Sequence, residues 1–169
     1  MRWLWIDRFV TFESGKSARA VKNLSLAEDH FADHFPGFPV MPACFILEGV
    51  AQTGGILVGE ANDFQEKVIL AKIVSARFRH EALAGEQLVY DVELLHLRPE
   101  GASVGGRVFI GKPGASAPGG NETGELLAEA EIFFAHLDKS RSQQIFGEHN
   151  FVFGGELRKM LGLARLQKG

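Results

Sequence analysis

The stretch that most limits what this chain can become runs from Asp33 to Gly55, DHFPGFPVMPACFILEGVAQTGG. Its first half holds Pro36, Pro39 and Pro42 together with Gly37. Each proline fixes φ and removes a backbone donor, so this half is neither a regular helix nor a central strand. It reads as a stiff loop carrying His34. From Ala43 to Val58 the chain is apolar, interrupted by Glu48, Gln52 and Thr53. Pro42 suits a helix N-terminus, where a missing N–H costs little. A helix apolar on most sides is a buried one. Glu48 is then the anomaly, because glutamate is almost never fully buried unless it is paired or has work to do.

Around this stretch the pattern is mostly strand. Leu4–Glu13 and Ser17–Leu24 alternate about a Ser14-Gly15-Lys16 turn and form a hairpin. Ala27–His34 reads as a loop with one helical turn. After the buried helix come strands at Val68–Arg79, Gln87–Arg98, Ser103–Gly111 and Glu125–Leu137, parted by Ala84-Gly85-Glu86 and Pro99-Glu100-Gly101. Lys112–Thr123, rich in Gly, Pro, Ala and Ser, is a long loop. In the tail, Leu157, Met160, Leu161 and Ala164 recur at helical spacing and indicate a short amphipathic helix over Glu156–Leu166. One apolar helix followed by a run of antiparallel strands is an α+β arrangement. A helix apolar nearly all round exceeds what one sheet can cover and points to a homodimer. The boundary expected is a domain over 1–138 and an extension over 139–169.

At 169 residues the chain fits one domain able to bury a core. A net charge of −3 provides no general field for nucleic acid or an anionic membrane. The single cysteine, Cys44, rules out an intrachain disulfide and fits a reducing compartment. The apolar start ends at Asp7-Arg8, too early for a signal-peptide core. The run 43–58 is short for a membrane span and contains Glu48. The expectation is a cytoplasmic, soluble protein that binds neither nucleic acid nor membrane.

Glu48 and Gln52 lie four apart and share a helix face. The pair fits a carboxyl positioned by an amide, and equally a polar pair across an interface. Desolvation would raise the pKa of Glu48 toward that of a proton donor near neutral pH. His34 is framed by Phe35-Pro36-Gly37, Pro39 and Pro42, the preorganisation a general base needs. His30, His80, His96, His136 and His149 lack such framing and read as surface or strand residues. The helix start at Ala43 and Cys44 offers free N–H groups and the positive end of the helix dipole, suited to a developing oxyanion. Cys44 itself reads as a small buried apolar residue rather than a nucleophile. No His-x-x-x-His pair or cysteine cluster supports a metal site, and no Gly-rich piece ends as a phosphate loop does.

The run His34-Phe35-Pro36-Gly37-x-Pro39-Val40-Met41-Pro42, followed by Leu47-Glu48-Gly49-x-Ala51-Gln52-x-Gly54-Gly55, closely resembles the signature of the FabZ-type β-hydroxyacyl-[acyl-carrier-protein] dehydratases. Trp5-Ile6-Asp7-Arg8, Ala20-Val21-Lys22-Asn23, Ala76-Arg77-Phe78-Arg79 and Gly85-Glu86-Gln87-Leu88 extend the resemblance over roughly Leu4–Leu137. It implies a hotdog fold, a central helix wrapped by an antiparallel sheet. It also implies dimers joined edge to edge, often as trimers of dimers, with sites shared between subunits. His34 would take the C2 proton of a (3R)-hydroxyacyl thioester held on acyl carrier protein. Glu48 would help the C3 hydroxyl leave, giving a trans-2-enoyl thioester. The N–H groups at Ala43–Cys44 would face the thioester carbonyl. Phe38, Phe45 and Ile46 would line a pantetheine tunnel, with Gln52 also among the substrate-binding residues, and Arg77 and Arg79 could meet the acidic carrier. No cofactor or metal is implied.

Several residues depart from that pattern. Ala43 stands where the family usually has glycine, and Val74 where aspartate is common. His80-Glu81-Ala82-Leu83-Ala84 replaces an Arg-Pro-Val-x-Pro run, and the tail beyond Asp138 is longer than the family needs. These point to a divergent member. Two other classes stay open: a non-catalytic hotdog subunit that binds acyl chains or pairs with an active partner, and a thioesterase on the same fold.

Overall fold

The computed structural model describes residues 3–111 and 124–137, with isolated positions 144, 159 and 162. The loop expected over 112–123, the boundary near 138 and the tail helix lie outside the described residues, those isolated positions aside.

The strands are β1 (Arg8–Glu13), β2 (Ser17–Asn23), β3 (Lys67–Phe78), β4 (Gln87–Arg98), β5 (Gly101–Ile110) and β6 (Glu125–Leu137), and the helices are α1 (Asp29–Asp33) and α2 (Ala43–Ala61). All strand pairs are antiparallel, in one sheet of order β1-β2-β4-β5-β6-β3. The strands alternate, so one face of the sheet meets α2. Leu88, Tyr90 and Val92 of β4 lie buried in the core with Ala102, Val104 and Val108 of β5 and Ala128, Ile132 and Phe134 of β6. Register shifts at Leu94/His96, Leu70/Lys72 and Ile73/Ser75 mark bulges, and bulges bend and twist a strand. This is the α+β hotdog arrangement.

Glycine in a helix interior costs about 1 kcal/mol relative to alanine, yet α2 contains Gly49, Gly54, Gly55 and Gly59. Packing explains the first two. A Cβ on Gly49 would sit 2.4 Å from Tyr90 Cζ, and one on Gly54 would sit 2.8 Å from Val104 Cγ2. The small helix face lets the sheet come close. Ile56, Leu57 and Val58 reach zero exposure, each contributing roughly 1.5–3 kcal/mol by burial.

Every residue of α2 from Gly49 to Gly59 is buried within the single chain. A second copy is therefore not needed to explain the apolar helix, contrary to the expectation, because the bent sheet and the N-terminal segment wrap it. The uncovered apolar side chains lie elsewhere. Leu70, Ile73 and Val74 on the edge strand β3 are 41 %, 44 % and 45 % exposed. No helix among the described residues is long and apolar enough to cross a membrane.

Two local features differ from the sequence pattern. The first strand begins at Arg8 rather than Leu4; Trp3–Trp5 runs beside α2 instead of joining the hairpin. An inward ion-pair group was also not expected. Lys22 is buried on β2, with Nζ 2.6 Å from Glu28 and 3.4 Å from Asp7. Asp7 also accepts the Asn23 N–H at 2.7 Å. These contacts tie the segment before α1 to β2, and α1 leads straight into the His34 loop.

Candidate functional site

His34 is the C-cap residue of α1, its N–H donating to the His30 carbonyl at 3.1 Å. The chain then turns sharply. Phe35 and Phe38 exchange backbone hydrogen bonds of 3.0 and 2.9 Å. Pro36 and Gly37 occupy the two central positions, and Gly37 has φ +83°, the residue pair that a type II turn demands. The Val40 N–H returns to the His34 carbonyl at 2.9 Å, and the Met41 N–H donates to Ala82 at 2.8 Å. A bridge between Val40 and Leu83 anchors the loop to the body.

This geometry sets the histidine's tautomer. His34 Nδ1 lies 3.2 Å from the Val40 carbonyl oxygen. A carbonyl only accepts, so Nδ1 carries the hydrogen and Nε2 presents its lone pair. The imidazole also stacks on Phe35, with centroids 4.2 Å apart. The expected stiff loop is thus a closed turn that holds the imidazole in one orientation.

On α2, Glu48 and Gln52 meet as their spacing requires. Gln52 Nε2 donates to Glu48 Oε1 at 3.0 Å. Gln52 is buried and its amide is fully engaged by protein, accepting from the Trp5 N–H at 2.9 Å and donating to the Trp3 carbonyl at 3.0 Å. It stands behind Glu48. Glu48 is only half-buried in one chain, less dry than expected. Ala43 and Cys44 are exposed, so Cys44 is not the buried apolar residue the sequence suggested. The helix ladder begins at the Pro42 carbonyl, which accepts from Phe45 at 2.9 Å and Ile46 at 3.2 Å. The N–H groups of Ala43 and Cys44 lie ahead of it.

Of the apolar residues expected at a tunnel, Phe38 is exposed at the turn and Phe45 is half-buried, stacked on Trp5 at 3.9 Å. Ile46 belongs to the core. His34 and Glu48 make no hydrogen bond or ion pair with each other within the chain. Arg79 pairs with Glu129 at 2.8 Å, and Arg77 is exposed on β3.

His30 is the residue that sequence reasoning passed over. It sits on α1 one turn before His34, neither on a strand nor free at the surface. Its ring packs against Phe31, Trp5 and Phe45 at 4.4, 5.4 and 5.4 Å. Burial among these rings lowers its pKa, a shift that Lys22 and His34 reinforce and Glu28 and Asp29 oppose. Its i, i+4 relation to His34 was the available signal. Among the described residues, no group of three or more His, Cys, Asp or Glu side chains is placed to hold a metal ion.

Comparison with known proteins bears on this geometry. Residues 1–109 match the FabA-like domain. The 3-hydroxyacyl-[acyl-carrier-protein] dehydratase FabZ of Pelotomaculum thermopropionicum is 38 % identical over 134 residues, spanning 79 % of this chain and 87 % of that protein. The protein of the same name from Symbiobacterium thermophilum is 39 % identical over 138 residues, spanning 80 % and 88 %. Among solved structures, the dehydratase heterocomplex ApeI:P from Xenorhabdus doucetiae superposes with a TM-score of 0.63 at 15 % identity, covering 86 % of this chain and 91 % of that one. That last likeness is one of fold.

Proposed function

Because this chain belongs to the FabA-like family and, by its curated relatives, to the FabZ dehydratases, we propose that it is a hydro-lyase of fatty-acid biosynthesis. It converts (3R)-hydroxyacyl thioesters on acyl carrier protein into trans-2-enoyl thioesters and water. The observation that carries the mechanism is the Nδ1 contact of His34 with Val40, which leaves Nε2 as a base of fixed direction.

In this reading His34 Nε2 removes the C2 proton. The electron pair moves toward the thioester oxygen, which meets the N–H groups of Ala43 and Cys44 at the positive end of α2. The enolate then collapses to form the C2–C3 double bond and expels the C3 hydroxyl. Glu48 supplies the proton that makes the leaving group water. The cycle ends with His34 protonated and Glu48 ionised, and proton exchange restores both. Gln52 positions Glu48 instead of touching substrate. Phe38 and Phe45 flank the acyl-pantetheine path. Ala43 adds a methyl where that path meets the helix.

Two copies complete the site. The exposed apolar side chains of β3 and its open edge support edge-to-edge pairing of identical chains, since an unpaired strand edge is a ready template for another strand. His34 of one copy would then work with Glu48 of the other, and trimers of such dimers are compatible with this arrangement. Residues 1–138 form the catalytic domain and 139–169 an extension. Arg77 offers a cation to the acidic carrier. The single cysteine supports a cytoplasmic setting. No observation favours a non-catalytic subunit or a thioesterase, and the presence of both His34 and Glu48 argues for the dehydratase.

The test is a direct assay of the purified protein with 3-hydroxybutyryl and 3-hydroxydecanoyl carrier thioesters, following enoyl absorbance. Turnover by wild type and a loss of about 100-fold or more in His34→Ala and in Glu48→Gln support the reading. No turnover by wild type, or full rates in both variants, overturns it.

A further inference from the structure

The segment Trp3–Trp5 pairs with a side chain. Its Trp5 N–H and Trp3 carbonyl engage the two ends of the Gln52 amide, at 2.9 and 3.0 Å. The second hydrogen of Gln52 Nε2 goes to Glu48 Oε1 at 3.0 Å. An amide side chain can rotate half a turn and exchange its oxygen and nitrogen. Here that flip would set the oxygen against the Trp3 carbonyl and the Glu48 carboxyl, and the NH2 against the Trp5 N–H. Three hydrogen bonds would become three like-with-like contacts at a side chain that is itself buried, the Trp5 contact lying wholly inside the protein. The orientation of Gln52 is therefore imposed by the segment's backbone.

The segment is itself clamped. The Trp5 indole is buried and stacks on Phe45 of the first turn of α2, with planes 16° apart. Trp3 meets both Phe45 and Trp5 edge-on at 5.6 Å. The backbone donor and acceptor are thus held against the same helix that carries Glu48.

We propose that Trp3–Trp5 is a positioning strap for Glu48, acting through the Gln52 amide. The strap makes Gln52 present an N–H to Oε1, so that Oε1 is the accepting oxygen of the carboxyl and Oε2 is left to hold the transferable proton toward substrate. The proposal rests on the reading of Glu48 as the proton donor, and extends it to three residues outside the signature loop and helix.

The test is a set of coupled variants in the full-length enzyme, read as kcat and KM separately. Trp5→Pro deletes the N–H that Gln52 accepts, whereas Trp5→Phe keeps both the N–H and an aromatic ring. The expected result is a fall in kcat of about 10-fold or more in Trp5→Pro with KM within about 2-fold, and near-wild-type kcat in Trp5→Phe. In a Gln52→Met background, Trp5→Pro should change kcat by less than about 2-fold, because the link is already cut. A strap that merely stabilises the fold would give independent, multiplying losses in that background, and that outcome overturns the proposal. If Trp5→Pro does not fold, Trp3→Gly is taken through the same cycle: it keeps the Trp3 carbonyl but removes the ring that meets Trp5 and Phe45 edge-on and clamps the segment, and equal losses with and without Gln52 reject the strap. Glu48→Gln is measured alongside. Full activity there removes the reading of Glu48 itself, whereas a dead Glu48→Gln with an uncoupled strap removes only the present proposal.

Discussion

His34 Nδ1 donates to the carbonyl oxygen of Val40 at 3.2 Å, across a turn whose centre is Pro36-Gly37. The imidazole is aimed by the backbone of its own loop. Gly37 holds φ at +83° with nothing within 4 Å of where a Cβ would stand. Gly37→Ala therefore meets no clash, only backbone strain. We expect it to lower stability by about 1 kcal/mol, and to lower kcat by about 10-fold by loosening His34. Urea unfolding and steady-state kinetics separate the two effects.

Tyr90 of β4 packs directly against Gly49 of α2, where a Cβ would stand 2.4 Å from the ring. The Tyr90 hydroxyl is buried without a hydrogen-bond partner, and burial raises its pKa, with Asp7 and Glu28 adding to the effect. Removing an unpaired buried polar group costs little. Tyr90→Phe should leave the denaturation midpoint unchanged or raise it. Gly49→Ala should destabilise by about 1–3 kcal/mol through overpacking. Tyr90→Phe should not rescue it, because the contact includes ring carbons at 2.4 and 2.6 Å.

His30 predicts an acid limb of stability. Burial holds its folded pKa below the ordinary 6.5, so between the two values the unfolded chain binds more protons. Its contribution is fully present above about pH 6.5 and is lost as pH falls through the folded value. Urea midpoints measured from about pH 7.5 to about pH 5 should fall less steeply in His30→Phe than in wild type. Equal slopes would remove His30 from the account.

The β3 edge predicts assembly. Ile73 pairs with Ile132 of β6 and leaves its other edge open. Ile73→Lys together with Val74→Glu should shift the mass seen by light scattering toward monomer. Activity should fall with it, while the spectrum of folded protein persists.

Much of this was legible in the residues. Gln87–Arg98 and Glu125–Leu137 are strands with the bounds their alternation and flanking turns suggested, and the pair Glu48–Gln52 meets as i, i+4 spacing requires. What escaped were contacts made by side chains at a distance. Leu4–Ile6 alternates like a strand, but Trp5 at its centre binds an amide 47 residues away, which no local period encodes. The exposure of Ala43, Cys44 and Glu48 depends on what packs over the start of α2, a tertiary property rather than a composition. Two glycines of α2, Gly49 and Gly54, are explained only by the close packing of Tyr90 and Val104, which no local pattern encodes.

The most direct test of the central claim is to co-express His34→Ala and Glu48→Gln chains, each carrying a different affinity tag, and assay the assembled mixture. A site built from His34 of one copy and Glu48 of another leaves one intact site in each mixed dimer. Activity should then return to about a quarter of wild type, from two inactive parents. A mixture as inactive as either parent, with mixed dimers present by both tags, would contradict the account.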